Sequence, residues 1–154
     1  MKPEFKNRKA INVLGLMEYF TPDNEDYEGI WKRFMAYHGK INNFSTDKAY
    51  YGVYFYTDGE KGLDYIAGMS VEGVDEVPEG LTLREVPAAY CAVFECTVKT
   101  IGQTYDNVFK NWLPASKYEQ ENSRQTFERY PPDTKTGDDV VLIYVPVRKK
   151  NEVQ

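Results

Sequence analysis

Glu128 is the residue in this chain best suited by type and surroundings to do chemistry. It lies in QTFERYPPD, Gln125 to Asp133, with Thr126 and Tyr130 two positions away on either side. Alternate side chains of a strand share a face, so Glu128 goes with Thr126 and Tyr130, and Phe127 goes with Arg129. A carboxylate set among tyrosines has two uses. It can be the counterion of a lipophilic cation, to which ring faces add about 0.5–2 kcal/mol each through cation–π attraction. Desolvated, it acquires a raised pKa and can act as a general acid or base. Against both stands the plain alternative of a solvated strand glutamate.

Phe127 is expected to pack under a helix, leaving Glu128 and Tyr130 on the opposite sheet face. Tyr51, Tyr54, Tyr56, Tyr65 and Tyr144 are candidates for the aromatic company there. The run Tyr50, Tyr51, Tyr54, Tyr56 also fits a half-exposed sheet surface. Trp31 and Trp112 suit either core or pocket wall, and Trp112 joins the candidate set with Glu128, Tyr130, Tyr51, Tyr54, Tyr65 and Tyr144. His38 reads as a partner for a helix dipole. Cys91 and Cys96 fall in one strand, where five residues separate their Cα atoms by roughly 16 Å, beyond the about 7 Å a disulfide spans. Two thiols and one histidine without ligand spacing give no typical zinc site, so no metal and no cofactor are expected. Phosphate loops, nucleophile elbows, HExxH and dinucleotide fingerprints are all lacking.

The elements that must position these residues follow from periodicity. Met1 to Arg8 is charged and reads as loose, and KAINVLGLM, Lys9 to Met17, as a strand. The cap-forming cluster TPDNED, Thr21 to Asp26, leads into a helix in which Tyr27, Ile30, Trp31, Phe34 and Tyr37 recur at three- and four-residue steps. YYGVYFYTDG and GLDYIAGMSVEG form a hairpin across Thr57-Asp58-Gly59-Glu60. VDEVPEGL, with Pro78 and Gly80, closes a first half. The order then repeats: a strand over Ala89 to Cys96, a helix over Ile101 to Trp112 ended by Leu113-Pro114, and strands over Arg124 to Tyr130 and Asp139 to Val147. The reading is α+β, with two pseudo-symmetric strand-helix-strand-strand units, about residues 9–75 and 82–148, forming an antiparallel sheet with a central ligand cleft.

The totals bound the partners. With 154 residues, one domain is expected, and a net charge of -5 disfavours direct binding to nucleic acid. Aromatic residues make up 15%, with 13 tyrosines, which suits a surface that is part wet and part apolar. No apolar run is long enough for a membrane span or signal peptide, so a cytoplasmic location is expected.

Three runs carry a resemblance. EVPAAYCAVFEC (Glu85 to Cys96), TYDNVFKNWLPASKYE (Thr104 to Glu119) and TFERYPPD resemble, in order and spacing, the GyrI-like small-molecule-binding family, the effector-binding domain of AraC-type and multidrug-sensing regulators. YYGV, DYIAGM and VPEGL match in the first half. The resemblance implies two strand-helix-strand-strand units around a cleft, with Glu128 as the central pocket carboxylate and aromatics as its walls. Glu95, the lack of glycine after Cys96, and Lys117 in place of a frequent glycine depart from the pattern. With the first strand at about Lys9, no helix-turn-helix is expected ahead of the domain. The function implied is a stand-alone domain capturing amphipathic, cationic or drug-like molecules. Two alternatives remain open: hydrolysis of cyclopropanoid toxins with Glu128 as acid/base, and protection of a gyrase-like protein partner.

Overall fold

A computed structural model describes residues 2–56 and 61–151. These form strands β1 (Glu4–Arg8), β2 (Ile11–Phe20), β3 (Tyr50–Tyr56), β4 (Leu63–Ser70), β5 (Thr82–Val86), β6 (Ala89–Thr97), β7 (Tyr118–Gln120), β8 (Thr126–Tyr130) and β9 (Val140–Lys149). Helix α1 spans Tyr27–Phe34, a short α2 spans His38–Ile41, and α3 spans Ile101–Asn107. The Thr57–Glu60 turn expected between β3 and β4 lies outside the described residues, but the two strands do pair antiparallel.

The strands make one antiparallel sheet in the order β1-β6-β9-β8-β3-β4-β2-β5, with β7 added to the far end of β9. That order reads the same from either end when β1, β2, β3 and β4 are exchanged for β5, β6, β8 and β9. The fold is therefore α+β with two matching strand-helix-strand-strand units, joined where β3 pairs with β8. The strand leading into each unit crosses to the other: β1 borders β6, and β5 borders β2. Glu4–Arg8 is thus a paired strand and not a loose end. Its charged, solvent-exposed side chains hid it, because an edge strand needs only backbone partners.

Each helix covers the outer strands of its own unit. Asp26 caps α1, its carboxylate accepting from the Gly29 N–H at 2.9 Å, and Ile30 and Phe34 bury against Leu14, Phe20 and Met69. Across the sheet, α3 and the turns after it lay Val108 and Trp112 on Phe94, Ile143 and Val145. Helical backbone does not stop at Leu113-Pro114 as expected. It passes through a π turn over Val108–Trp112 and ends with Leu113–Ala115. A proline in a regular helix clashes with the carbonyl four residues back, and the wider π turn ahead of Pro114 changes that register.

Phe127 does not pack under a helix. It belongs to a second core on the other sheet face with Val13, Val53, Phe55 and Ile66, all almost completely buried. No helix lies on that side among the described residues, so the sheet must curl over its own face. Its two ends meet at Arg8, which donates to the carbonyls of Pro87 (2.7 Å) and Val86 (3.5 Å). The Arg8 guanidinium lies 5.2 Å above the Phe127 ring and that of Arg84 3.9 Å above Phe55, closing this core.

Candidate ligand-binding site

Because α1 and α3 each sit over outer strands, the central β3–β8 pair is left as the floor of a trough between them. Gly52, Tyr54, Thr126, Glu128 and Tyr130 face up from that floor. Glu128 lies opposite Gly52 on one side and Ile143 on the other. Gly52 makes the space: a Cβ there would run into the Tyr65 hydroxyl and lie 3.1 Å from Glu128 Oε1.

Glu128 is 2% exposed. The Tyr105 hydroxyl, descending from α3, donates to its Oε2, and the Tyr130 hydroxyl donates to Oε1 at 3.2 Å. No ion pair among the described residues involves it. Burial pushes its pKa up to about 7, against the opposing pull of the hydroxyls of Tyr105, Tyr54 and Tyr130. The same burial, with the charge of Glu128, holds Tyr54, Tyr65, Tyr105 and Tyr130 well above the usual phenol range, so these remain neutral donors. A fully buried carboxyl supported only by neutral hydroxyls either holds a proton or, when ionised, needs a positive partner.

Two hollows lie behind the tyrosines that bond this carboxylate, one beside Tyr105 and one beside Tyr130, and Glu128 itself lines neither. One, of ≈ 400 Å³, is walled by Tyr54 and Tyr56 of β3, by Ile101 and Tyr105 of α3 and by Phe109 of the π turn after it, with Tyr27 across from them and Thr126 on β8. The other, of ≈ 440 Å³, lies beside Trp31, Tyr130 and the Thr134–Gly137 turn. Trp31 joins the two sides: its Nε1 donates to the Tyr65 hydroxyl at 2.9 Å, and its ring meets Tyr130 edge-on at 5.4 Å.

Of the residues singled out in the sequence, Glu128, Tyr130, Tyr54 and Tyr65 converge here. Tyr51, Tyr144 and Trp112 do not. Tyr51 and Tyr144 lie on the Phe127 face, their rings 5.6 and 4.6 Å from it, because both occupy the opposite phase of their strands. The Tyr51 hydroxyl serves a separate cluster, donating to Asp47 (2.6 Å) and accepting from Arg129 (3.2 Å). Trp112 packs edge-on against Phe94 at 5.1 Å and parallel to Tyr118, within the core under α3. The sequence reading missed Tyr27, Tyr105, Phe109 and Gly52 as site residues. The four-residue steps Ile101, Tyr105, Phe109 were the available signal, a stripe adjacent to the core-facing Val108 and Trp112.

Among the described residues no helix is long and apolar enough to cross a membrane. A family model described as the GyrI-like small molecule binding domain matches residues 1–148. The transcriptional regulator BrlR of Pseudomonas aeruginosa is 31% identical over 117 residues, which are 73% of this chain and 42% of the regulator, so the chain spans less than half of that protein. The structure of SAV2435 bound to tetraphenylphosphonium superimposes with a TM-score of 0.81 at 14% identity, covering 96% of this chain and 94% of that one. The C-terminal domain of EcmrR gives 0.69 at 14% identity over 97% and 98%. Convergent fold, match length and relatives lead to one conclusion: this chain belongs to the GyrI-like small molecule binding domain family, related to the effector domains of transcription regulators.

Proposed function

We propose that the domain captures an amphipathic small molecule with a positive centre, its charge set against Glu128 and its apolar groups against the tyrosine walls. The observation that carries this reading is a fully buried carboxylate with hydroxyl partners and no cationic partner among the described residues. A hollow of ≈ 400 Å³ is within the range of small-molecule sites, about 300–1,000 Å³. The cation carried by SAV2435 supports the same ligand class. Titrating tetraphenylphosphonium against the fluorescence of Trp31 in a Trp112→Phe background tests the idea. Saturable quenching is expected, weakened at least about tenfold in Glu128→Gln, because an uncompensated buried cation costs more than a factor of ten in binding. Unchanged affinity in that variant would overturn it.

A second reading is hydrolysis, favoured by one feature: a carboxyl with a pKa pushed up to about 7 can hold or release a proton near neutrality. Incubating the protein with a cyclopropanoid electrophile and following it by mass spectrometry decides the matter. Enzyme-dependent addition of water, lost in Glu128→Gln, supports it, and no product beyond the buffer rate removes it.

A further inference from the structure

Thr126 is 4% exposed and lines the ≈ 400 Å³ hollow with Tyr54 and Tyr105, yet its Oγ1 is itself covered and has no hydrogen-bond partner among the described residues. The Tyr105 hydroxyl of the same hollow is committed to Glu128. A buried hydroxyl without a partner destabilises a fold, and valine has the same shape without that cost. Threonine at this place makes sense if something absent from the free protein completes it. Thr126 and Glu128 are two residues apart on β8 and face the same way, so their side chains stand roughly 6–7 Å apart along the strand.

We infer that Thr126 is a specificity-determining residue, and that the preferred ligand carries, besides its cationic centre, a second hydrogen-bonding group about 6–7 Å away that pairs with the Thr126 hydroxyl once that side chain turns about Cα–Cβ to bring its covered oxygen to the hollow. This rests on the proposed function and narrows it. The site then favours a bipolar aromatic cation over a purely apolar one, because the matching polar group satisfies an orphaned atom as well as replacing water.

Two probes separate the possibilities: tetraphenylphosphonium, which has no hydrogen-bonding group, and (4-carbamoylphenyl)triphenylphosphonium, whose carboxamide lies one phenyl ring from phosphorus. Both are titrated calorimetrically into wild type, Thr126→Val, Thr126→Ser and Glu128→Gln. Thr126→Val is expected to weaken the carboxamide cation about fivefold and to leave tetraphenylphosphonium within about twofold, while Thr126→Ser keeps the preference. The melting temperature of Thr126→Val is expected to be unchanged or higher, which a structural hydroxyl would not allow. Equal affinities of wild type and Thr126→Val for the carboxamide cation overturn the inference, as does an equal loss for both probes. If both probes bind through Glu128 but Thr126→Val is indifferent, this inference alone falls. If neither binds wild type, the proposed function falls and takes this inference with it.

Discussion

Glu128 combines two properties that oppose each other: it is buried deeply enough to resist ionisation, and it is surrounded by hydroxyls that favour it. Its folded pKa of about 7 lies above an ordinary carboxyl value near 4.5, so the folded chain holds a proton that the unfolded chain gives up. Stability should therefore fall as pH rises from about 4.5 to about 7, by on the order of 3 kcal/mol, and level off above that. Urea denaturation at intervals across this range should show the slope in wild type and lose most of it in Glu128→Gln. Binding of a permanently charged cation should run the other way, weakening about tenfold per pH unit below 7, because the ligand must displace that proton. Titrations of tetraphenylphosphonium at pH 5.5, 6.5 and 7.5, values roughly spanning the transition, check this. The placement of Glu128 with Thr126 and Tyr130 was legible in alternation alone. So was the exclusion of Tyr51, which is three residues from Tyr54 and hence out of phase with it. Tyr51 and Tyr54 stand on opposite faces of β3, so one pocket cannot hold both.

Among the elements, the β3–β8 ladder carries the most functional weight. Alternation says which side chains share a face, but not which face the helices take, and that is where Phe127 was misassigned. Each face of this sheet carries a packed core, so the apolar runs in β2 and β9 gave no hint of a preferred side. Gly52 had no pattern to announce it, since its role depends on its cross-strand partner. Gly52→Ala should push Tyr65 off its bond to Trp31, destabilise the fold by about 1–3 kcal/mol, and abolish cation binding, as thermal melts and fluorescence titration would show. Along α3 and the π turn after it, the helical stripe was visible while its division of labour was not: Val108 is fully buried in the core, whereas Ile101, Tyr105 and Phe109 pack against that core and also wall the trough. Helical spacing defines an arc, and only packing against Phe94 shows where that arc divides.

At the scale of the whole molecule, the repeated order of elements was legible, but the crossing of β1 and β5 was not. EFKNR has no apolar face, and β5 ran into the Val-Pro-Ala segment that was read as one turn and strand. Arg8, where the ends of the sheet meet, should matter more than a surface arginine. Arg8→Met should cost about 1–3 kcal/mol in urea denaturation, since the Pro87 and Val86 carbonyls lose their donor and the Phe127 ring its cover. The exchanged outer strands have one more implication. Cutting the backbone between Gly73 and Gly80 would yield two fragments, each missing a border that only its counterpart supplies. Neither should hold its shape in isolation, yet mixing them should restore the whole, with the cation acting as a rivet across the join.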